Sequence, residues 1–280
     1  MRTSKTGDTV MEASRKVEDF AEKNAVRVGT LGLAIVALAA LCAALSGQFY
    51  QAGVMGLQQA FSVLQISVTW GLGLGVLACL GGITLSVIAY KRDFITNAPT
   101  GSIGVIIAIA VFFVPYSQFS RGAPPIHEVT TDFENPPAFI DIVPLRVASK
   151  AANPPEFVPV IKGFGLEVDV VAEQKEHYPD IQPLRFNGTN YDAVFEKAMD
   201  GVNKMGWTLV SSSPTLGRIE AYDTTAWFGF VDDIVIRIEA QPMAYELDIR
   251  SKSRVGFGDV GANAKRVRDY LKATSGRSSH

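Results

Sequence analysis

The stretch that decides the fold reads Asp232-Asp233-Ile234-Val235-Ile236-Arg237, then Arg250-Ser251-Lys252-Ser253-Arg254-Val255-Gly256. Apolar and charged residues alternate, and the second part leads through spaced glycines toward a helix. Period-2 alternation marks strands with one face covered. Extended outward, the pattern gives a strand from Phe230 to Ala240, with Ile234, Ile236 and Ile238 inward and Val235, Arg237 and Glu239 outward. Gln241-Pro242-Met243 makes a turn. Tyr245 to Ser253 returns, with Tyr245, Leu247 and Ile249 inward and Glu246, Asp248 and Arg250 outward.

Two shorter strands precede this pair, at Trp207 to Val210 and Gly217 to Thr225. Before them, residues 189 to 206 carry a helical stripe of Ala193, Val194, Ala198, Val202 and Met205. Thr189 or Asn190 can cap its start, and Gly206 ends it. The last helix is expected from Asp259 to Ala273, with Asp259 as N-cap and Val260, Ala264, Val267 and Leu271 as its apolar stripe. The expected core, residues 186–275, is therefore helix, four-stranded antiparallel sheet, helix: a two-layer α+β domain with both helices on one face. Residues 276–280 read as a tail.

Residues 120–185 have another character. Ten of the fourteen prolines lie between Pro124 and Pro183. Proline lacks the amide donor and fixes φ, so long helices and central strands are disfavoured. The expectation is an extended segment with short strands and turns. Ala138-Phe139-Ile140, Phe157-Val158-Pro159-Val160 and Tyr178 would pack it along the domain. A disordered linker is the competing reading.

The chain has 280 residues and a net charge of −2, but charge is unevenly spread. Residues 28–119 contain only Lys91, Arg92 and Asp93 as charged side chains. A span needs about 20 apolar residues to cross a core of about 30 Å. Three runs qualify: residues 28–46, residues 52–90 (securest from Ile66 to Tyr90), and residues 101–119. Residues 1–27 read as a cytoplasmic tail forming a short amphipathic helix at the membrane surface. Their mixed charges argue against a cleaved signal peptide. Gly71, Gly75 and Gly82 form a small-residue seam for close helix packing, within the subunit or in a homo-oligomer. Gln58, Ser62, Gln65 and Thr69 add a polar stripe, read first as interhelical contacts.

Lysine and arginine placement sets the orientation. The tail has six, the connection Gly47–Gln65 none, and the connection Tyr90–Thr100 has Lys91 and Arg92. Positive residues favour the cytoplasmic side, so three spans would place everything after residue 120 outside. Cys42 and Cys79 both lie in apolar runs, which leaves the soluble part without disulfides or a cysteine metal site.

Ordered motifs carry a family resemblance. Pro125-Ile126-His127-Glu128-Val129-Thr130-Thr131-Asp132, Asn135-Pro136-Pro137-Ala138-Phe139 and Tyr178-Pro179-Asp180-Ile181-Gln182-Pro183-Leu184 resemble the opening of the DUF1499 family. Phe228-Gly229-Phe230, Asp232-Asp233, Arg237, Arg250-Ser251, Ser253-Arg254-Val255-Gly256, Asp259, Gly261, Asn263-Ala264 and Arg266 follow its core pattern. The resemblance covers roughly residues 124–273 and implies the membrane-anchored bacterial type. It implies fold and context, and no chemistry.

For chemistry the sequence offers one constellation: Asp232, Asp233, Arg237, Arg250, Arg254 and Asp259. Arg237 and Arg250 would share a sheet face with Glu220 and Asp248. That is either a polar pocket for an anion, headgroup or small ligand, or a set of cross-strand ion pairs and caps. Adjacent Asp232 and Asp233 point to opposite faces, which weakens a paired-carboxylate or cation site. Gly256-Phe257-Gly258-Asp259-Val260-Gly261 matches G-x-G-x-x-G but lacks the following strand and acidic residue of a dinucleotide site. It reads as a turn with a cap. His127, His177 and His280 show no metal-ligand spacing, and no nucleophile or phosphate-loop motif is present. No cofactor, metal or nucleic acid is expected. From Arg250 to His280 eight basic residues face two acidic ones, read as a solvated basic face or a dock for anionic lipid.

The expected protein is a multi-pass bacterial inner-membrane protein with a cytoplasmic N-terminus. It presents a periplasmic domain that binds a ligand, lipid or envelope partner. An enzyme acting on an envelope substrate through the Asp/Arg residues is the alternative.

Overall fold

The computed structural model describes residues 3–88, 103–110 and 122–275. The chain divides into two compact units, Met1–Gln118 and Phe119–His280.

In the first unit the expected tail and first span are one continuous helix, α1 (Thr3–Gln51). No glycine or proline interrupts residues 8–28, and Lys16 pairs with Glu12 at 2.8 Å one turn away. Good helix formers with such pairs carry a helix through a polar stretch. The first connection is also shorter than expected, because α2 (Leu57–Ile66) begins within it. A π-helical turn, Ser67–Leu72, joins α2 to α3 (Gly73–Ile88). The described part of α4 covers residues 103–110, and the rest of the expected third span lies outside the described residues.

α1 and α3 run antiparallel, and glycines set their separation. A Cβ on Gly82 would sit 2.6 Å from Gly29 Cα, and one on Gly75 would sit 3.1 Å from the Val36 amide. Gly71 faces Ala39 in the same way. The seam of Gly71, Gly75 and Gly82 is thus used inside the unit, against α1.

The second unit is an α+β domain on an antiparallel sheet. Its elements are β1 (Glu128–Thr130), α5 (Val143–Ala148), β2 (Val160–Gly163), β3 (Leu166–Asp169), α6 (Val170–His177), β4 (Leu184–Asn187), α7 (Tyr191–Met205), β5 (Thr208–Ser213), β6 (Arg218–Thr224), β7 (Val231–Gln241), β8 (Ala244–Ser253) and α8 (Ala262–Ser275). The four expected strands are β5 to β8. The sheet nevertheless has six strands, ordered β1-β8-β7-β6-β5 with β4 also on β8. β1 and β4 share one edge of β8: β4 pairs with Ala244–Leu247 and β1 with Arg250–Lys252. Strands of three and four residues are too short to show alternation. β2 and β3 form a separate hairpin.

One face of the sheet is apolar. Ile234, Ile236, Leu247 and Ile249 are fully buried there, in one cluster with α7 and α8 side chains. α7 starts where Asn190 accepts the Ala193 amide at 2.9 Å and stops at Gly206, whose φ of 70° is left-handed. Gly201 lets the two helices close up, since a Cβ there would come within 2.7 Å of the Tyr270 ring. Trp207 stacks on that ring at 5.3 Å.

The other face departs from expectation. It was expected to point its charges outward, yet Glu220, Asp233, Asp248, Arg250 and Lys252 are all buried there. Phe139 and Ile142, from the proline-rich segment, pack against Val235 on that face. Both faces are therefore covered, one by helices and one by a strap, residues 132–157.

Candidate functional site

The strand period places the charges. β-register sets Glu128 opposite Lys252, Asp233 opposite Lys252 on the other side, and Arg237 opposite Asp248. Glu128, Asp233, Arg250, Lys252 and Arg254 thereby gather on one face of three adjacent strands. α5 adds Arg146 from above. Arg146, Arg250 and Lys252 are 2% exposed or less, so this layer is taken out of water.

Asp233 is the hub of one half. Its carboxylate accepts from Arg146 and from Arg254, the latter at 2.7 Å (Nη2) and 2.9 Å (Nε). Glu128 is the hub of the other. It accepts from Arg250, and Lys252 Nζ lies 2.9 Å from its second oxygen. Four cations face two carboxylates, and the surplus donors end on the strap's main chain. Arg146 donates to Asn153 O at 2.8 Å. Arg250 donates to Pro137 O at 3.1 Å and Pro155 O at 2.9 Å. Lys252 donates to Glu156 O at 2.6 Å. Proline-rich coil has carbonyls without strand partners, and buried carbonyls must be satisfied. The Arg250 guanidinium also lies over the Phe139 ring, 4.7 Å from its centre. Burial pushes Arg146, Arg250 and Lys252 below their ordinary pKa values, and the carboxylates oppose this.

Two further sets flank this centre. Glu220, fully buried on β6, accepts the Ile140 and Ile142 amides at 2.9 and 2.8 Å. Arg237 donates to Asp248 at 3.0 Å, Asp132 at 2.9 Å and Asn135 O at 2.8 Å. Burial opposes the charge on Arg237, but Asp248 and Asp132 outweigh it and raise its pKa.

The remaining expected residues lie elsewhere. Asp232 points to the helix face and accepts from Arg266 of α8 at 2.7 Å, so it shares no site with Asp233. Asp259 caps α8, accepting the Gly261 and Asn263 amides at 2.8 Å each. Burial pushes its carboxyl up to about 6, against those hydrogen bonds. Gly256 (φ 98°) and Gly261 (φ 87°) hold the turn in backbone that only glycine adopts readily. The six candidates are thus divided among the strap layer, the helix face and a cap, and do not line one pocket.

Among the described residues, much of the basic C-terminal end is engaged within the domain, while Lys265 and Lys272 are exposed. Arg250, Lys252, Arg254 and Arg266 are buried, and Arg268 binds Asp180 at 2.5 Å. Glu128, Asp132, Lys252 and Arg266 lie in quoted motifs but outside the candidate constellation, and Arg146 lies outside both. Lys252 had a signal, since it shares strand parity with Arg250 and Arg254. No local pattern ties Glu128 or Arg146 to this layer, because their partners lie 122 and 87 residues away. Among the described residues, no group of three or more His, Cys, Asp or Glu is placed to hold a metal ion.

Chemically, the layer clamps a peptide segment. Each oxygen of Asp233 is occupied by arginine donors, and the cations end on carbonyls. No curated protein and no solved structure matches the chain. A family model described as protein of unknown function (DUF1499) matches residues 128–273. These residues include the sheet, the strap and both long helices just described, and the chain belongs to the DUF1499 family.

Proposed function

We propose that the chain is a membrane-anchored envelope protein whose DUF1499 domain is a non-catalytic binding module on the outer side of a bacterial inner membrane. The observation that carries the anchoring is the pair of long apolar helices, Thr9–Gln51 and Leu57–Ile88. Each is long enough to cross a bilayer, and only 28% of each apolar window is buried within the protein. Leu31, Leu38, Leu41, Leu74 and Leu77 point outward from them. A water-exposed surface of that kind is unfavourable, and lipid removes the cost.

The rest of the topology follows from charge placement. Six basic residues in the first 27 favour a cytoplasmic N-terminus, and Lys91 and Arg92 favour the same side after the second span. A third span over residues 101–119 then carries the domain to the periplasm. Catalysis through the Asp/Arg constellation has less support, because Asp233, Arg237, Arg250 and Arg254 are engaged in the strap layer while Asp232 pairs with Arg266 and Asp259 caps α8; any ligand would be bound elsewhere on the domain. Gly71, Gly75 and Gly82 are engaged with α1, so a partner subunit would use other helix faces. A reporter enzyme fused after His280 tests the topology. Periplasmic reporter activity is expected, and cytoplasmic activity would overturn the orientation.

A further inference from the structure

The β2–β3 hairpin ends in Phe164-Gly165, with Gly163 and Leu166 paired at its base. Phe164 has φ 52° and Gly165 has φ 77°. A two-residue turn with positive φ at both positions favours Asn-Gly, and an aromatic residue at the first is strained. Phe164 is also 91% exposed. Among the described residues its ring partner is Phe257, edge-on at 5.8 Å. Leu166 and Val260 beside them are 53% and 45% exposed. The fold accepts a strained backbone here and leaves an aromatic ring in water.

This apolar tip lies at a particular place. Phe257 and Val260 belong to the β8–α8 turn, and that turn receives the chain as it enters the domain. Asp259 N donates to Ile126 O at 3.0 Å, and His127 Nδ1 lies 3.2 Å from Phe257 O. Gly258 packs on Pro125, where a Cβ would stand 3.3 Å from its Cα. The tip is therefore at the tethered end of the domain. Between Ala110 and Gly122 there are eleven residues, which reach at most about 40 Å when fully extended. The turn between β7 and β8, with Met243 96% exposed, lies at the far end of a ten-residue strand.

We infer that the Phe164-Gly165 hairpin tip, with Leu166 and Phe257, docks into the lipid surface of the membrane that anchors the chain. The occupant is lipid because the tip lies beside the residues at which the chain enters the domain, and eleven residues separate Gly122 from the last described residue of the proposed third span. This rests on the anchored reading proposed above. Apolar side chains at such a tip enter the headgroup and acyl boundary by about 5–10 Å.

The test uses the full chain with Cys42→Ala and Cys79→Ala, reconstituted in phosphatidylcholine nanodiscs. Single nitroxide labels are placed by Phe164→Cys, Met243→Cys and, as an anchoring control, Leu38→Cys. Relaxation by oxygen and by an aqueous nickel chelate reads the depth of each. The label at residue 164 is expected to favour oxygen over nickel by roughly threefold or more relative to residue 243, as for a side chain at the acyl boundary. Equal aqueous exposure at 164 and 243 overturns the docking while a lipid-exposed label at 38 leaves the anchoring intact. Shielding of 164 from both reagents also overturns it and indicates a protein contact. An aqueous label at 38 removes the anchored reading itself. Phe164→Asn suits the turn and is expected to keep the fold. Followed through a label at Leu166→Cys, it should lower the oxygen preference there; an unchanged value would contradict the role of the ring.

Discussion

The two faces of the domain's sheet both bury their central residues and are held by opposite chemistry. On one, Ile234, Ile236, Leu247 and Ile249 meet α7 and α8. Its stability is non-directional and scales with area removed from water, at about 25 cal/mol per Å². On the other, Asp233, Glu128, Arg250 and Lys252 meet a coil that offers mainly carbonyls. Each contact there is directed, and each charge has been desolvated. The apolar face should lose stability in proportion to volume removed. The charged face should fail by orphaning, because a lost partner leaves a buried charge behind.

Substitutions on the two faces separate these behaviours, and one outside them completes the series, from largest effect to smallest. Asp233→Ala removes the partner of both Arg146 and Arg254. A loss of about 3–5 kcal/mol is expected in chemical denaturation of the domain. Leu247→Ala, on the apolar face, is expected to cost about 2–4 kcal/mol. Its mark is rescue by Leu247→Met, which restores volume; no volume-matched neutral residue should rescue Asp233. If both sites follow volume alone, the distinction between the faces fails. Gly201→Ala drives a methyl group into the Tyr270 ring and should cost about 1–3 kcal/mol by pushing α7 off α8. An unchanged melting temperature would show that the helices have slack.

The smallest effect depends on pH and lies outside both faces. The folded carboxyl of Asp259 titrates at about 6, above its ordinary value of 3.8. A raised folded pKa means the protonated form is favoured by folding. Its contribution is fully present below pH 4 and is lost as pH rises through 6. Asp259→Asn keeps a capping oxygen and carries no charge. The variant should gain about 1 kcal/mol on wild type between pH 5 and pH 8. Melting curves at the two pH values check this, and a variant that instead loses ground at pH 8 would contradict the sign. His127 works in the other direction, because burial lowers its pKa and favours the neutral ring.

The two faces also differed in how far the sequence disclosed them. Ile234, Ile236 and Ile238 against Leu247 and Ile249 announce a covered face by period alone. Asn190 and Gly206 announce the ends of α7 by cap chemistry. On the same strands Val235, Arg237, Asp248 and Arg250 have the period of a solvated face. Nothing local distinguishes a charge in water from one buried under a strap. The difference lies in Glu128 and Arg146, each in a short element of three or six residues. Such elements have no periodicity, and their partners are distant in the chain. The prolines pointed to an extended segment. They did not disclose that its carbonyls would be the acceptors. In the first unit, glycine spacing identified a seam, and only the path of α1 decides that it is used within the chain.

The central claim is that the Asp/Arg layer is a closed structural clamp. The most direct measurement is a double-mutant cycle of Arg146→Ala and Asp233→Ala on the unfolding free energy of the domain. Residues joined in one buried network couple by about 0.5–3 kcal/mol, and a clamp predicts the upper end of that range. It also predicts that each single variant exposes the strap to faster amide exchange over residues 135–157. A coupling near zero, with both variants folded, stable and unchanged in exchange, would contradict the clamp and reopen these residues as a free binding site.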